Sequence, residues 1–226
     1  MFKKKIKAIR YLSRILFLVV IVATAGLVQF HISLGLLILA IVSGASFCGW
    51  LCPFGLLQDI GGEIGKKLLK KRYRLPVKYQ KFFQYFRYSL FTLPSLGLGI
   101  VFIYDPQISL LSLLSNIYVS IGAWMVLIIF VILSIFIDRP FCNYFCIEGS
   151  RISLQGILRI FRIKRDKNTC ISCGACDRVC PMNIEISNKK QVNSINCINC
   201  FECLELCPKK SLSFGLLKLK NLFSNK

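Results

Sequence analysis

Two runs of closely spaced cysteines dominate the last quarter of the chain. Both have the spacing C-x2-C-x2-C-x3-C-P. The first run is Cys170, Cys173, Cys176, Cys180 and Pro181, and the second is Cys197, Cys200, Cys203, Cys207 and Pro208. Such short gaps let one tight loop present several thiolates to one metal centre. The segment is also too small to be held by an apolar core alone, so we expect it to fold around metal.

The doubled run is typical of bacterial proteins with two [4Fe–4S] clusters, in which the fourth cysteine of each run ligates the other cluster. We therefore predict two interleaved ligand sets. They are Cys170, Cys173, Cys176 and Cys207 for one cluster, and Cys197, Cys200, Cys203 and Cys180 for the other. Two zinc sites are the alternative, because tetrahedral sulfur sites also suit zinc. Zinc usually takes separated C-x2-C pairs rather than four ligands in one short run, which favours the clusters.

Basic and apolar residues are segregated along the rest of the chain. The 226 residues are 55% hydrophobic, yet their formal net charge is +20. Lysine and arginine are absent between Arg14 and Lys66 and between Arg87 and Arg139. Each of these stretches has room for two apolar helices of about 20 residues, the length that crosses a membrane. We therefore predict four transmembrane helices as two repeated hairpins, near residues 12–30, 33–50, 84–104 and 117–137.

The basic residues also predict a topology. All thirty lie in the N-terminus, the middle loop and the tail, and basic loops stay on the cytoplasmic side. We therefore expect a multi-pass protein of a bacterial-type cytoplasmic membrane, with both termini and all cysteines on the cytoplasmic side. The first apolar stretch is longer than that of a usual signal peptide, so we expect it to remain as an anchor. The lipid bilayer is the expected partner. Nucleic acid is not, because the basic blocks alternate with the spans.

These patterns predict the fold class and its division into parts. We expect an α-helical membrane domain over residues 1–163 and an α+β ferredoxin domain of the bacterial two-cluster type over residues 164–214. A basic tail follows at 215–226. Within the ferredoxin domain, residues 184–186 and 192–195 flank a turn and predict a hairpin, and residues 212–214 predict a terminal strand.

The cysteine and histidine content excludes several redox classes. Twelve cysteines on a reducing side of the membrane indicate metal or redox chemistry rather than a disulfide scaffold. The chain has one histidine and no C-x-x-C-H sequence, which excludes bis-histidine haem within one subunit and covalently attached haem. We predict no catalytic residue, and the expected role is that of an electron-transfer component.

The remaining four cysteines form an internal repeat. The sequence F-C-x-aromatic-apolar-C-x-x-G occurs at residues 47–55 and again at residues 141–149. Its cysteines are Cys48 and Cys52 in the first copy and Cys142 and Cys146 in the second. Pseudo-symmetry would bring the two pairs together as a third, four-sulfur site. The residues leave open another iron–sulfur cluster, a thiophilic metal such as copper, reactive thiols, or merely packed small side chains.

The ordered set of cysteine motifs resembles that of one family. The first C-x3-C loop with Pro53 and the sequence L-L-Q-D at residues 56–59, the second loop and the tandem run are similar to those of membrane polyferredoxins. That family is typified by the membrane subunit of the quinol dehydrogenase of periplasmic nitrate reduction. The nitrous-oxide-reductase regulator, the cytochrome-oxidase accessory protein and a methylamine-utilisation ferredoxin are related.

The resemblance covers residues 10 to 214. It implies four membrane helices, two cytoplasmic [4Fe–4S] clusters, and electron transfer to or from a quinone or a partner redox protein. One departure concerns Cys146, which is followed by Ile147 where the family usually has proline. The second loop is therefore not assumed to act like the first.

Two functional hypotheses follow. In the first, the protein is a membrane-anchored 2[4Fe–4S] ferredoxin that transfers electrons between a quinone pool or integral partner and a cytoplasmic redox partner. In the second, it is a metal-handling accessory protein that reduces copper or assists redox-cofactor assembly through the loop cysteines. A third interpretation, a structural anchor for a soluble enzyme, predicts clusters that never change oxidation state.

Overall fold

The computed structural model describes residues 3–23, 38–69, 73–92 and 120–216, together with positions 35, 106 and 110. The N-terminal part is helical: α1 (Lys3–Ala23), α2 (Ser46–Trp50), α3 (Pro53–Leu69), α4 (Val77–Thr92), α5 (Ile121–Phe136), α6 (Pro140–Tyr144) and α7 (Ile147–Gln155). The C-terminal part comprises β1 (Phe161–Arg165), α8 (Ala175–Val179), α9 (Glu202–Leu206) and β2 (Leu212–Leu216). Residues 38–43 are also helical.

The prediction of four transmembrane helices is wrong on the described residues, none of whose helices combines the length and the apolar character that a membrane crossing needs. Helix α1 has 21 residues, but its first half is rich in lysine and arginine. Helix α5 is apolar but has 16 residues, which gives about 24 Å against a hydrocarbon core of about 30 Å. Parts of the predicted spans, at 24–30, 93–104 and 117–119 and most of 33–37, lie outside the described residues. The predicted topology rested on those spans and is left without support.

Two arginines of α1 belong to a buried ionic cluster. Arg10 and Arg14 are 3% and 0% exposed, and both donate to the Asp59 carboxylate of α3, at 3.1 and 2.7 Å. Arg139, just before α6, donates to the same carboxylate at 2.6 Å through Nε and through Nη2. Burial alone would raise the pKa of Asp59, but Arg139 and Arg14 outweigh it and hold the pKa well below its usual value. Arg10 and Arg14 of α1 therefore pair inside the protein.

Helix α3 packs on α5 through glycine. Gly61 and Gly65 are buried, and a Cβ atom at either position would collide with α5, at Ser134 or at the backbone of Ile135. The two helix axes approach closely because these positions carry no side chain. This contact joins the first copy of the internal repeat to the segment that leads into the second.

Strands β1 and β2 form an antiparallel pair in which Ile163 lies opposite Phe214. The predicted terminal strand at residues 212–214 is thus part of β2, but its partner β1 was not predicted. The predicted hairpin at 184–186 and 192–195 is absent, since neither described segment is a strand. Val192 instead donates to the carbonyl of Ile163 at 2.9 Å, so this segment lies beside β1. The division at residues 163 and 214 stays a prediction.

Candidate functional site

Four cysteines surround one cavity in the C-terminal part. They are Cys170, Cys173, Cys176 and Cys207, here called set I. The first three come from the loop before α8 and from its first turn, whereas Cys207 follows α9. These are the cysteines predicted to ligate one of the two clusters.

A second cavity is lined by Cys180, Cys197, Cys200 and Cys203, here called set II. Cys180 directly follows α8, while the other three belong to the loop before α9 and to that helix. The rest of the lining includes Ile163, Met182 and Ile184. Each short helix thus carries its last cysteine to the cavity formed by the other run. Metal ligation by the two sets stays a prediction.

The backbone around the two sets repeats with the cysteines. Non-glycine residues with positive φ occur at Ser172 and Asn199, with φ values of 52° and 47°, and again at Asn183 and Lys210, with 51° and 50°. Helix α8 follows Gly174 and α9 follows Phe201, which are both left-handed at φ values of 64° and 60°. Residues other than glycine rarely adopt this conformation. Its recurrence at equivalent places shows that the two runs fold as two copies of one loop–helix unit.

The described cysteine side chains do not converge on one point. In the part of the chain that the structure describes, no three Cys, His, Asp or Glu side chains come close enough to share one metal ion. The thiolates of a [4Fe–4S] cube are spread around the cube, whereas those of a zinc site meet at one atom. Backbone N–H groups also approach the sulfurs: Ile184 N donates to Cys180 Sγ at 3.5 Å.

The two sets differ in their access to solvent. All four cysteines of set II are buried, whereas Cys173 of set I is exposed and the other three are half-buried. Burial raises the pKa of the Cys200 thiol to about 12. In set I, a hydrogen bond from the Arg165 side chain lowers the pKa of the Cys170 thiol. Set I therefore faces the outside and set II faces the helical part.

The two C-x3-C loops have the same local structure. In each, the phenylalanine carbonyl before the first cysteine accepts two N–H groups, at 2.9 and 3.0 Å. Cys52 and Cys146 lie directly before α3 and α7, and each sulfur accepts the N–H three residues on, at 3.4 and 3.1 Å. Ile147 therefore stands where the first copy has Pro53, and the two loops keep the same hydrogen bonds. Because α2 and α6 end between the cysteines, neither pair lies on one continuous helix.

The structure brings the two loops against each other. The rings of Phe54 and Phe141 are 5.2 Å apart and nearly perpendicular. Gln58, on α3 of the first copy, donates through Nε2 to Cys142 Sγ of the second at 3.3 Å. Burial raises the pKa of Cys142 to about 12 against the opposing charge of Arg139, so the metal-free thiol is protonated at neutral pH. Cys48 is half-buried; Cys52, Cys142 and Cys146 are buried.

Two arginines hold the loops, and sequence reasoning did not identify them. Arg139 Nη1 donates to the Cys48 carbonyl at 3.1 Å, and Arg87 Nη1 donates to the Cys142 carbonyl at 2.7 Å. Both are 1% exposed. Gln58 and Asp59 are the last two residues of the L-L-Q-D sequence, which is the one sequence signal that points to them.

Both loops pack on the segments that carry set II. A Cβ atom on Gly49 would collide with the carbonyl of Ile198, and Trp50 Nε1 donates to the Asn199 carbonyl at 2.9 Å. From the second loop, Asn143 Nδ2 donates to the Pro181 carbonyl at 3.0 Å. The loop cysteines therefore lie on the side of set II that faces away from solvent.

Comparison with known proteins agrees with this arrangement. A family model described as a 4Fe-4S binding domain matches residues 23–72 and again residues 120–167, one match for each C-x3-C loop. A second model, described as a 4Fe-4S dicluster domain, matches residues 162–208. No solved structure matches the chain.

Three relatives illustrate the range of similarity. Uncharacterized protein MJ0749 of Methanocaldococcus jannaschii is 32% identical over 79% of this chain and 67% of its own length. Putative electron transport protein YccM of Escherichia coli is 28% identical over 80% of this chain and 54% of its own. Ferredoxin-type protein NapH of Haemophilus influenzae is 26% identical over 63% and 49%. The chain thus spans about half the length of the last two.

The paired cysteine cavities and the matched domains define an iron–sulfur electron-transfer protein of the ferredoxin type. The chain belongs to the NapH-like family of 4Fe–4S ferredoxin-type proteins. The resemblance drawn from the cysteine motifs is thereby confirmed.

Proposed function

We propose that the protein is a two-cluster electron carrier that exchanges electrons with a soluble redox protein on the side of set I. The observation that carries the proposal is the pair of four-cysteine cavities, one open to solvent and one buried. A [4Fe–4S] cluster, when bound, accepts and returns one electron at a potential set by its ligands and their hydrogen bonds. The chain contributes the thiolates of sets I and II, their spacing and the exclusion of water from set II.

A basic, partly apolar mouth around set I indicates the kind of partner. Arg165 and Lys209 line the cavity and Lys210 follows; we call these three residues the basic collar. Ile171, 58% exposed, lies at the same mouth. The nearby Asp166 carboxylate already accepts hydrogen bonds from Asn168 N and Thr169. An acidic redox protein with an apolar centre fits this surface, because charge complementarity steers encounter.

Charge reversal tests this docking surface. We expect Lys209→Glu with Lys210→Glu to slow electron transfer from a small acidic ferredoxin by about tenfold at low salt, and high salt to reduce the difference. Lys67→Glu with Arg151→Glu changes the net charge equally, away from the collar, and should leave the rate near that of the parent. Equal slowing by both pairs would contradict the proposed docking surface.

A quinone is the proposed second partner. A groove that is open to solvent lies between α1, α3 and α9. Its lining combines Ala8, Tyr11, Val179 and Leu206 with the charged residues Lys7, Glu63, Lys66, Glu202 and Glu205. Burial, with the carboxylates of Asp59 and Glu63, raises the pKa of Tyr11, whose hydroxyl hydrogen-bonds Glu63 in this structure and would turn to the ligand. The Tyr11 hydroxyl would donate to a quinone carbonyl, and Val179 and Leu206 would contact the quinone ring.

Removal of that hydroxyl tests the quinone site. We expect Tyr11→Phe to weaken the binding of a short-chain quinone by roughly three- to tenfold, the effect of one lost hydrogen bond. Tyr79→Phe, at a residue that is 58% exposed, is the matched control. An unchanged quinone affinity in Tyr11→Phe would contradict quinone binding in this groove.

Copper handling is less well supported. A mononuclear copper site needs ligands that converge on one ion, and the described loop cysteines include no such group.

A further inference from the structure

Arg159 is a buried cation beside set II. It follows a short helical turn after α7, precedes β1, and is 2% exposed. Its Nη2 donates to the carbonyls of Val192 and Ser194, at 2.8 and 3.0 Å. Its Nη1 donates to the carbonyl of Cys197 at 3.4 Å. The guanidinium group therefore holds the segment that leads into the second cysteine run and contacts a cysteine of set II.

No carboxylate balances the charge of this group. All three hydrogen bonds of the Arg159 side chain go to neutral carbonyl oxygens, and no ion pair within the described residues includes it. Burial lowers the pKa of Arg159, the thiolate of Cys197 raises it, and Arg162 lowers it further. A buried charge is costly when it has no partner. The site therefore favours negative charge at set II.

Arg159 and Cys197 act on each other. Burial raises the pKa of the Cys197 thiol, and the charge of Arg159 opposes that effect, followed by a backbone hydrogen bond from Asn199. Cys197 is buried, as are the other cysteines of set II. Charges that are buried together are screened weakly by solvent and salt. A cation fixed at this place therefore stabilises negative charge on the thiolates of set II.

Two other buried arginines near set II already have carboxylate partners. The charges of Arg10 and Arg139 reach the Cys200 thiol, but both arginines pair with Asp59. Arg10 also pairs with Glu202, whose charge acts on Cys200 in the opposite sense. The effect of these two arginines on set II is therefore offset.

Close packing fixes the position of the unpaired cation. Gly44 has a positive φ of 71°, and a Cβ atom there would lie 2.7 Å from Arg159 Cδ and 3.2 Å from its Nη1. A Cβ atom on Gly156 would in turn lie 2.7 Å from the Cα atom of Gly44. Glycine adopts this φ readily and leaves room for the side chain. The packing and the three hydrogen bonds together hold the guanidinium group at set II and away from solvent.

We propose that Arg159 raises the reduction potential of the cluster bound at set II. Four thiolates on a dicationic core leave about two negative charges, and reduction by one electron adds another. Burial alone disfavours that added charge, whereas a fixed cation stabilises it, most strongly where water is excluded. Arg159 thus keeps set II able to accept an electron in spite of its burial. The inference rests on the proposed function, because it concerns the potential of one of the two clusters.

Redox-poised EPR of the full chain tests the inference. The protein is prepared anaerobically, loaded with iron and sulfide, and titrated with dithionite; the signal missing from Cys170→Ala with Cys207→Ala identifies set I. Arg159→Gln removes the charge but keeps a hydrogen-bond donor. We expect it to reduce the equilibrium constant for one-electron reduction at set II about tenfold, which lowers the potential by about 59 mV. The potential of set I should stay at the value of the parent.

Two matched variants separate charge from packing. Arg159→Lys keeps the charge and should restore most of the potential that Arg159→Gln loses. Arg162→Gln removes the same charge from β1, at a residue that is 7% exposed and donates to the Asn193 side chain and the Ile157 carbonyl. Because these partners are not cysteines of set II, we expect Arg162→Gln to change the constant at set II less than about twofold.

Three results would contradict the inference and leave the two-cluster carrier standing. They are an unchanged set II potential in Arg159→Gln, equal shifts in Arg159→Gln and Arg159→Lys, and an equal shift in Arg162→Gln. If Arg159→Gln binds too little iron at set II to be titrated, Arg159→Met removes the charge at nearly the original length and should show the same shift. Loss of the set II cluster from both would give Arg159 a structural role and contradict the inference. A parent protein that binds no iron would instead remove the proposed function and the inference together.

Discussion

At the residue scale, Asp59 holds together segments that are far apart in the chain. Its carboxylate accepts from arginines of α1 and from Arg139. Asp59→Asn would leave those guanidinium groups buried without their counter-charge, and we expect it to lower the free energy of unfolding by about 3–5 kcal/mol. Urea unfolding measures the change. Glu148→Gln, which breaks the half-exposed pair with Arg151, should cost less than about 1 kcal/mol; a similar cost for both would contradict the account.

The same carboxylate predicts a dependence on pH. Because the arginines depress the pKa of folded Asp59, its stabilising effect is present above the unfolded pKa of about 3.9 and is lost as pH falls below it. We expect the parent to lose stability below about pH 4 more steeply than Asp59→Asn. Urea midpoints between pH 6 and 3 measure this, and parallel curves would contradict it.

Residue-scale reasoning from sequence anticipated which cysteines lie together, although their ligation stays a prediction, and it missed the charge pairs. The spacing of Cys170 to Cys207 predicted which cysteines the two cavities bring together, because the ligands of a small cluster site are local in sequence. Arg10 and Arg14 were interpreted as a topology signal. Their partner Asp59 lies 49 and 45 residues away, and no local pattern indicates such a pair.

At the element scale, the contact between α3 and α5 depends on two glycines. Gly→Ala in a helix usually stabilises by roughly 0.5–1 kcal/mol. At Gly65 the new methyl group would strike the backbone of α5, so we expect Gly65→Ala to destabilise by about 1–3 kcal/mol. Ile64→Ala, at a neighbouring residue that is 44% exposed, should change the melting temperature little. Stabilisation by Gly65→Ala would show that the helices do not meet at this position.

Elements that depend on distant partners were the ones sequence analysis missed or misplaced. Strand β1 pairs with β2, whose residues lie about fifty positions later, and its short sequence gives no sign of that partner. The segment at 184–186 alternates like a strand, but its apolar side chains line set II instead. The long apolar stretches predicted membrane spans, yet α5 ends after 16 residues.

At the scale of the whole molecule, the two cysteine sets differ in their access to solvent. Set I opens to the outside at Cys173, whereas set II is covered by the two C-x3-C loops. We therefore expect a chelator or mild oxidant to remove iron from set I several-fold faster than from set II. Time-resolved EPR of the two clusters measures the order. Loss of both at one rate would indicate that the loops do not shield set II.

The interleaving of the two runs is the central claim, and paired substitutions test it most directly. Cys170→Ala with Cys207→Ala removes two ligands of set I, so about four irons should be lost and the set II signal should survive intact. Cys170→Ala with Cys180→Ala removes one ligand from each set and should impair both clusters. The reverse result, one intact cluster only in Cys170→Ala with Cys180→Ala, would assign each run its own cluster and contradict this account.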